Sequence, residues 1–426
     1  MEQALDGLDR RAFRWRTGRE GKVKVEDALG TIVEEVRKNA DLHQSMMQWR
    51  RDFHRHPEIG FGEHRTAARI AELLRDWGIE VTTGVGGTGV VGIIDGCRGL
   101  GRSIALRADM DALPIVEQND FAHMSAHHGL MHGCGHDGHS AMLLGAARHL
   151  ADGRDFAGRI VLIFQPAEEV LTSGAREMIA DGVLDRFPFE AIYAVHNYPP
   201  LAPGTAAVRT GPFLASADSF HIEVTGLGGH GAQPHLARSP VAPACEIALA
   251  LQRIASQSVN ALDNCVVNTT MVRTGDTHNV IPDTALIGGT VRCFREEVRK
   301  DNAAEIDRIA TNIARAHGCE AKVDYVWGHP ATINTAREAE RAATVLTSLL
   351  GDRQVITDHP QIMGSEDFAY FLQQRRGAYI VLGRGGSMIH NPRYDFNDEI
   401  LSTGAAYFVG IALSELAGGP AKPSGS

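Results

Sequence analysis

Apolar and polar positions alternate in two ways along the first half of the chain. Between residues 41 and 76 apolar residues recur at helical spacing, and the segments GIEVTTGV and TGVVGIID then alternate as half-buried strands do. Three apolar strands follow, in SIALRADMDALP (Ser103 to Arg107), GRIVLIFQPAEE (ending at Gln165) and FEAIYAVHN. Polar residues come after each strand, which is typical of a buried α/β sheet with a site along the edge where its strands end.

The pattern changes near residue 214. Residues 214–330 predict the order strand, helix, strand, strand, helix, strand, which is that of a ferredoxin-like α+β unit. Because helices and strands of the first kind resume after it, we expect an inserted domain at 214–330. The larger domain is then an α/β domain, at 41–213 and 331–416, with a mostly parallel mixed sheet flanked by helices. Residues 1–40 are predicted to be an extension ending in an amphipathic helix, and 417–426 a disordered tail.

Composition narrows the class of partner. The chain has 426 residues, more than one hydrophobic core usually organises. Its formal net charge of −10 comes without a long basic run, so nucleic acid is not expected as a partner. The first 40 residues lack the apolar stretch of a signal or membrane span, and the six scattered cysteines form no disulfide framework. We expect a cytoplasmic protein with reduced thiols, a small-molecule ligand and no membrane partner.

Side chains that can bind metals or move protons follow the predicted strands. They include two aspartates in RADMDALP, a cysteine and a histidine in MHGCGHDGHSA, two adjacent glutamates in QPAEE, and two single histidines. In chain order these are Asp109, Asp111, Cys134, His136, Glu168, Glu169, His196 and His390. Because they all follow segments of one sheet or of its continuation, they are expected to meet.

These residue types suit two metal ions bridged by one anionic ligand. Thiolate, neutral imidazole and carboxylate bind borderline divalent ions. Adjacent glutamates can divide the work, one binding metal while the other holds a water as general base. The glycines around Cys134 leave room for a close approach of backbone to metal. A helix predicted to begin near Ser140 directs its positive end to the same place, which favours a thiolate.

Two other interpretations stay open at this point. Cys134 could be a nucleophile with His136 or His139 as its base. Against this, residues two apart in a tight glycine turn are awkwardly placed for proton transfer, and the adjacent glutamates would have no role. Asp109 and Asp111 could form a capped acidic turn and nothing more. A metal site is the favoured prediction.

The motifs resemble those of the dinuclear-metal amidohydrolases, among the aminoacylase and carboxypeptidase-G-like metallopeptidases. This group includes hippurate hydrolase, bacterial N-acyl-amino-acid hydrolases and plant auxin-conjugate hydrolases. The resemblance runs in order from about Met47 to Glu415, and the first 40 residues precede the usual start. The motifs that carry it are DFHRHPEIGFGEHRTA, ALRADMDALPIVE, MHGCGHDGHSAMLLGAA, GRIVLIFQPAEE, AVHN, GLGGHGAQPH, HNVIPDTALIGGTVRCF, MGSEDFAYF and HNPRYDFND.

The resemblance implies two divalent metal ions per chain, with Mn²⁺ or Zn²⁺ expected before Co²⁺ or Ni²⁺. Both metals share the Cys134 sulfur as a bridging ligand. The remaining implied ligands are Glu169 and His390 for one metal, and His136 and His196 for the other.

The same resemblance implies roles for three carboxylates close to the ligands. Glu168 is the implied general base, which takes a proton from the attacking water and returns it to the departing amine. Asp109 and Asp111 are implied to orient a ligand histidine and to hold loop backbone.

By resemblance, the inserted domain is a lid through which the chain forms dimers or tetramers. His230 in GLGGHGAQPH matches a lid histidine that stabilises the tetrahedral oxyanion, in its own subunit or in the partner's site. Asn279 and Arg292 match residues that hold the substrate's carboxylate, the arginine through bidentate geometry. A structural role at a strand end is the alternative for Arg292.

The function that these features predict is hydrolysis of the amide bond of N-acyl amino acids such as hippurate. A dipeptidase or an N-acetyl-diaminopimelate deacetylase would use the same residues. A thiol-dependent hydrolase using Cys134 and a binding protein without activity are the alternatives from other classes.

Overall fold

The structure is a computed structural model that describes residues 25–417. The predicted tail, except Ala417, and residues 1–24 of the predicted extension lie outside the described residues. The helices in the described part are α1 (Val25–Lys38), α2 (Ala40–Arg55), α3 (His64–Asp76), α4 (His136–Gly153), α5 (Gly174–Ala180), α6 (Val183–Arg186), α7 (Val241–Leu251), α8 (Ile254–Gln257), α9 (Glu296–Ala316), α10 (Ala336–Leu350), α11 (Ala369–Gln374) and α12 (Leu401–Leu416). The strands there are β1 (Glu80–Val85), β2 (Gly89–Asp95), β3 (Ser103–Asp109), β4 (Arg159–Gln165), β5 (Ala191–Tyr198), β6 (Ala206–Ala207), β7 (Gly211–Leu214), β8 (Asp218–Thr225), β9 (Gly229–His230), β10 (Cys265–Arg273), β11 (Val280–Ile281), β12 (Thr284–Cys293), β13 (Glu320–Val326), β14 (Thr332–Asn334), β15 (Val355–Ile356) and β16 (Arg376–Gly383).

Eight strands form the larger sheet, in the order β1-β2-β4-β3-β5-β16-β6-β15. The central strands β4, β3, β5 and β16 run parallel, whereas β1–β2, β2–β4 and β16–β6 pair antiparallel. The central strands are nearly continuous apolar runs because helices cover both of their faces. The prediction of a mixed sheet flanked by helices is confirmed.

Strand β3 is two residues longer than predicted. It continues past Arg107 to Asp109, which pairs with Gln165 of the neighbouring β4. The charged Arg107 can stay in this buried strand because Gln165 and Asp109 accept hydrogen bonds from its guanidinium. The ends of the parallel strands therefore carry polar side chains at one edge of the sheet.

Helix α1 belongs to the main core. Val33 and Val36 are buried in the same hydrophobic cluster as α12. Gly410 of α12 permits this contact, because a Cβ there would lie 2.9 Å from Cγ1 of Val33. The amphipathic helix predicted at the end of the extension is thus present at residues 25–38, where it forms part of the helical layer.

A second sheet has the order β10-β12-β8-β13, with all neighbours antiparallel. Along the chain its main elements follow one another as β8, α7, β10, β12, α9 and β13. Apolar residues alternate along β8, where Phe220, Ile222 and Val224 are buried in a core shared with Ile306 of α9. No helix within residues 25–417 is both long and apolar enough to cross a membrane.

Two chain segments connect this four-stranded unit to the larger sheet, and they run side by side. Ser216 N donates to Cys293 O at 2.7 Å, and Ala217 N donates to His329 O at 2.9 Å. Leu214 of β7 is then paired with Thr332 of β14. The segment that leads into β8 and the segment that follows β13 thus meet beside the end of β12.

Candidate metal site

Helix α4 begins at His136, four residues before the predicted start near Ser140. Gly135, immediately before it, has a left-handed backbone with φ +97°, and a Cβ at that position would lie 2.0 Å from Oδ1 of Asn197. Only glycine fits such a turn. The turn places Cys134 just outside the helix and His136 in its first turn, so both side chains face the edge of the larger sheet.

The five predicted metal ligands lie together at that edge. Their ligand atoms form two groups, each within 4.8 Å: Cys134, His136 and His196, and Cys134, Glu169 and His390. The Cys134 sulfur lies 3.4 Å from Nε2 of His196, and His390 Nε2 lies 3.2 Å from Oε1 of Glu169. The two groups share only the cysteine.

The histidines of the first group direct their free nitrogens inward. Nδ1 of His136 is 2.9 Å from the carbonyl oxygen of Asp111 and 3.0 Å from its Oδ1, and Nδ1 of His196 is 2.7 Å from the carbonyl of Asn197. Each Nδ1 must therefore carry a proton, because a carbonyl oxygen only accepts, and Nε2 is the ring atom left to bind a metal. This outer hydrogen bond is the usual arrangement of metal-binding histidines.

Among the described residues, two buried polar atoms of the cluster make no hydrogen bond of good geometry, namely Nε2 of His136 and Oε1 of Glu169, although His390 Nε2 lies 3.2 Å from the latter. Leaving such atoms unpaired is costly unless something else binds them. A divalent cation is the partner that suits imidazole, carboxylate and thiolate at once. The residues present therefore fit the predicted pair of divalent ions.

Glu168 lies beside this cluster, with its Oε2 4.0 Å from Nε2 of His136. Burial, followed by the charges of Glu366 and Glu169, raises the pKa of Glu168 well above its ordinary value. On the other side of the pair, the backbone N–H of Glu169 donates to Oδ2 of Asp111 at 3.0 Å. One aspartate thus positions both a histidine and a glutamate of the cluster.

Sequence reasoning missed three functional neighbours, although all three lie in quoted motifs: Arg107 in ALRADMDALPIVE, and Glu366 and Asp367 in MGSEDFAYF. The Arg107 guanidinium donates to Asp109 at 2.7 Å, to Glu366 at 2.9 Å and to Asp367 at 3.0 Å. Glu366 and Asp367 in turn approach Glu168, since the three carboxylates lie within 4.8 Å of one another. A buried arginine amid these acids compensates part of their charge.

Asp109 differs from its predicted role. Its Oδ1 is 2.6 Å from Nδ1 of His139, whereas its closest approach to the predicted ligand His136 is 3.8 Å. His139 is buried, and its ring lies 4.4 Å from that of His196, centroid to centroid. Asp109 therefore orients a histidine outside the predicted ligand set, while Asp111 orients His136.

The geometry disfavours Cys134 as a nucleophile. Burial and the charges of Glu169 and Glu168 raise the pKa of its thiol well above the ordinary value. In the metal-free site, burial among carboxylates therefore opposes the effect of the helix end, which favours a thiolate. The imidazole closest to the sulfur is His196, and burial lowers its pKa well below the ordinary value. A thiol and an imidazole that are both neutral do not make an activated pair.

His230 and Asn279 lie away from this cluster. Both are exposed on the small β9–β11 ladder, where Gly231 N donates to Asn279 O at 2.8 Å. That ladder lies next to the Thr284 end of β12, because β11 ends only three residues before Thr284, whereas Arg292 lies near the opposite end. Eight residues of strand separate the two ends by about 27 Å. The prediction that Asn279 and Arg292 hold one carboxylate therefore fails within a single subunit of this structure.

Arg292 has a neighbour that the sequence reasoning missed. His329, in the segment after β13, is buried, and neither of its ring nitrogens makes a hydrogen bond of good geometry within residues 25–417. Burial and the charge of Arg292 lower the pKa of His329 to about 4, while a backbone contact with Val170 acts in the opposite direction. No side-chain hydrogen bond or ion pair of Arg292 is found in the described chain either. A lone histidine in GHPATIN gave no signal of this environment.

Comparison with known proteins shows which family the chain belongs to. Residues 105–414 match the model of the peptidase family M20/M25/M40, which covers well over half of the chain. The chain belongs to this family. It is therefore a metal-dependent hydrolase, and the cluster at the sheet edge is its candidate site for divalent metal.

Individual relatives agree with this assignment over nearly their whole length. The chain is 37% identical to hippurate hydrolase of Campylobacter jejuni over 377 residues, which cover 88% of this chain and 98% of the relative. It is 39% identical to the IAA-amino acid hydrolase ILR1-like 2 of Arabidopsis thaliana over 400 residues, covering 91% and 89%. Among solved structures, the YXEP protein of Bacillus subtilis, a dinuclear metal-binding peptidase of the M20 family, matches with a TM-score of 0.78 and 34% identity, covering 89% of this chain and 99% of that one.

Proposed function

We propose that the chain hydrolyses the amide bond of N-acyl amino acids, with hippurate-like compounds as the substrate class. The observation that carries the proposal is the buried Glu168, which stands beside a cluster of five metal-ligating side chains. The similarity to hippurate hydrolase and to an N-acyl-L-amino acid amidohydrolase of Geobacillus stearothermophilus supports the substrate class.

Two divalent ions would be held in the site, with Cys134 as the shared ligand. Glu169 and His390 would complete one set, and His136 and His196 the other. Mn²⁺ or Zn²⁺ is proposed first, and Co²⁺ or Ni²⁺ would suit the same donors. When bound, the metals would polarise the amide carbonyl and lower the pKa of the attacking water.

Glu168 is the proposed general base. It accepts the proton from the attacking water and later delivers it to the nitrogen of the departing amino acid. The raised pKa of its carboxyl suits both steps, because a carboxylate destabilised by burial binds a proton more readily. The fixed backbone of Glu169 next to it keeps the two glutamates in separate roles.

The four-stranded unit is proposed to be an inserted ferredoxin-like lid at residues 214–330, with the catalytic domain at 41–213 and 331–416. Arg292, which makes no side-chain hydrogen bond or ion pair within residues 25–417, would bind the substrate's carboxylate together with the N–H of His329. Guanidinium matches a carboxylate in geometry and charge. Because Asn279 lies at the other end of β12, it would contribute from another subunit.

His230 is proposed to stabilise the oxyanion in trans, in a homodimer or homotetramer built through the lid. Its exposed side chain and its distance from the Arg292 end of β12 support this arrangement. A cytoplasmic location is part of the proposal, and the six free cysteines support it, because reducing compartments keep thiols unpaired.

The test is amine release from a panel in which the acyl group and the amino acid vary independently, with purified enzyme before and after chelation. We expect turnover of N-benzoyl and other N-acyl amino acids, loss of activity with chelator and recovery with Mn²⁺ or Zn²⁺. The Glu168→Gln variant should lose at least 100-fold in kcat at unchanged metal content, since general-base catalysis contributes about 10²- to 10⁴-fold.

The same panel separates the alternatives. Preference for dipeptides or for N-acetyl-diaminopimelate would replace the proposed substrate class with one of these. Full activity in a metal-free preparation would point to a thiol-dependent hydrolase, and binding of N-acyl amino acids without turnover would indicate a protein that has lost catalysis. Replacing the free carboxylate of benzoylglycine by a primary amide should raise KM for the wild type and change it little for Arg292→Ala.

A further inference from the structure

The segment HPEIGFGEH lies against the loop that carries the two glutamates, although none of its residues is a proposed ligand or catalytic group. Gly60 in this segment is in close contact with that loop, since a Cβ on it would lie 3.1 Å from the Cα of Ala167. Ala167 immediately precedes Glu168. The segment therefore touches the backbone that determines where Glu168 points.

Ala167 has a left-handed backbone, with φ +53°. Residues with a Cβ adopt this conformation at an energetic cost, so the surrounding structure has to hold it. Its carbonyl accepts a hydrogen bond from Gly174 N at 2.9 Å. Its N–H donates at 2.8 Å to a carboxylate oxygen of Glu63, the last acidic residue of the segment.

Glu63 is fully buried, and its second oxygen accepts a hydrogen bond from Thr88 Oγ1 at 2.5 Å. Both oxygens are therefore occupied by neutral donors, and no arginine or lysine pairs with this carboxylate within residues 25–417. Burying a carboxyl group without a cationic partner costs free energy, so the contact with Ala167 is kept at the expense of folding stability. On the other side of Glu168, Asp111 holds the N–H of Glu169.

We propose that Glu63 is a positioning residue, which fixes the bend at Ala167 and so aims Glu168 and Glu169 into the site. Without the acceptor, Ala167 would relax toward an ordinary backbone conformation and turn the peptide that leads into Glu168. The expected effect of Glu63 on kcat rests on the proposed function. Its expected effect on metal binding through Glu169 does not.

Glu58 provides a matched control in the same segment. Its carboxylate accepts hydrogen bonds from the backbone N–H groups of Arg65 at 3.0 Å and Thr66 at 2.8 Å, at the start of α3. This is a helix-end contact with no link to Ala167. A Glu58→Ala variant therefore shows the effect of losing a carboxylate-to-backbone contact that does not involve the loop of Ala167, Glu168 and Glu169.

The experiment compares Glu63→Ala, Glu63→Gln and Glu58→Ala at saturating metal, and measures metal affinity by calorimetry on the metal-free forms. For Glu63→Ala we expect kcat to fall about 10- to 100-fold with KM within about twofold, and the affinity of one metal to fall about tenfold, as for other supporting residues of metal sites. Glu63→Gln keeps an oxygen for Ala167 and should stay within about threefold of the wild type. Glu58→Ala should lower the melting temperature and leave kcat and metal affinity near wild type.

A second change tests the backbone argument directly. Glycine adopts left-handed conformations without a penalty, so Ala167→Gly should restore part of the kcat lost in Glu63→Ala. If Glu63→Ala folds poorly, Thr88→Val, which removes one of the two contacts of Glu63, should show a smaller loss of the same kind. The inference is overturned if Glu63→Ala matches the wild type in kcat and metal affinity, or if Glu58→Ala loses as much of both.

The two proposals fail in different ways. A wild-type enzyme that turns over no N-acyl amino acid contradicts the proposed function, and calorimetry on Glu63→Ala and Glu58→Ala then still decides the role of Glu63. A wild type active on the panel, with Glu63→Ala unchanged in both measurements, contradicts the role of Glu63 alone.

Discussion

Asp111 holds the ring of His136 through two contacts, since Nδ1 of the histidine lies 2.9 Å from the aspartate's carbonyl oxygen and 3.0 Å from its Oδ1. The other carboxylate oxygen of Asp111 accepts the N–H of Glu169 at 3.0 Å. One side chain thus connects residues of both proposed ligand sets. Replacing Asp111 should therefore weaken metal binding more than replacing a residue that supports only one ligand.

Replacing Asp111 with alanine should weaken metal binding about 10- to 100-fold, because outer residues that orient ligands have effects of this size. Asp111→Asn keeps an oxygen acceptor and should lose less. Calorimetric titration of the metal-free variants with Zn²⁺ would measure this. Asp52→Ala, which removes an exposed partner of Arg65, serves as the control. Equal affinities for Asp111→Ala and the control would refute the link.

Metal binding should release protons and strengthen as pH rises. Burial beside Glu169 and Glu168 raises the pKa of the Cys134 thiol, so the metal-free site holds a proton that a bridging thiolate has to give up. Calorimetry in buffers of different ionisation enthalpy counts the protons released. Cys134→Asp, whose carboxylate is already ionised near neutrality in most environments, should release fewer. The same count in both proteins would argue against a metal-bound thiolate.

The sequence predicts the sheet and the proposed ligands because both are local patterns. The apolar run RIVLIFQ indicates a buried strand, and Cys134, His136, Glu169 and His196 each lie at the end of such a strand or at a glycine turn. Arg107 is different. Its partners Glu366 and Asp367 are about 260 residues away along the chain, and only the folded chain brings them together.

Other differences come from effects that residue type alone does not specify. The start of α4 depends on how closely Asn197 approaches Gly135, which is a tertiary contact. The partner of Asp109 depends on which of two histidines, one helical turn apart, the strand end faces. The resemblance implies that Asn279 and Arg292 both hold the substrate's carboxylate, but only the folded chain shows that most of β12 separates them.

Glu63 should make stability depend on pH. Burial raises its pKa to about 7, above the ordinary value of 4.5. Between these two values the folded protein binds more protons than the unfolded one, so this group's contribution to the free energy of unfolding falls as pH rises and is fully lost above pH 7. Glu63→Gln, which does not titrate, should therefore gain in melting temperature relative to the wild type between pH 5 and pH 8. Glu58→Gln, at the start of α3, is the control for replacing a glutamate of the same segment.

Complementation between two inactive variants would test whether His230 acts in trans. In a mixed dimer of His230→Ala and Glu168→Gln subunits, the site with an intact Glu168 belongs to the His230→Ala subunit. If His230 of the partner subunit completes that site, the mixed dimer contains one working site of two, and a co-expressed, randomly assembled mixture should recover about a quarter of wild-type activity. Each variant alone should lose at least 100-fold, since removing one oxyanion donor costs about 10²- to 10³-fold in kcat.

The alternative arrangement gives a different result in the same experiment. If His230 acts within its own subunit, the His230→Ala subunit lacks its donor and the Glu168→Gln subunit lacks its base, so no mixed dimer recovers activity. A mixture of Glu168→Gln with Arg292→Ala subunits tests whether the two ends of β12 serve different subunits, because Arg292 lies at the junction with its own catalytic domain. If Arg292 acts in its own subunit, the Arg292→Ala subunit keeps its base but has a raised KM, and a Glu168→Gln partner cannot correct that. His230→Ala, in contrast, should lower mainly kcat. Only the defect of His230→Ala should therefore be rescued by the Glu168→Gln partner.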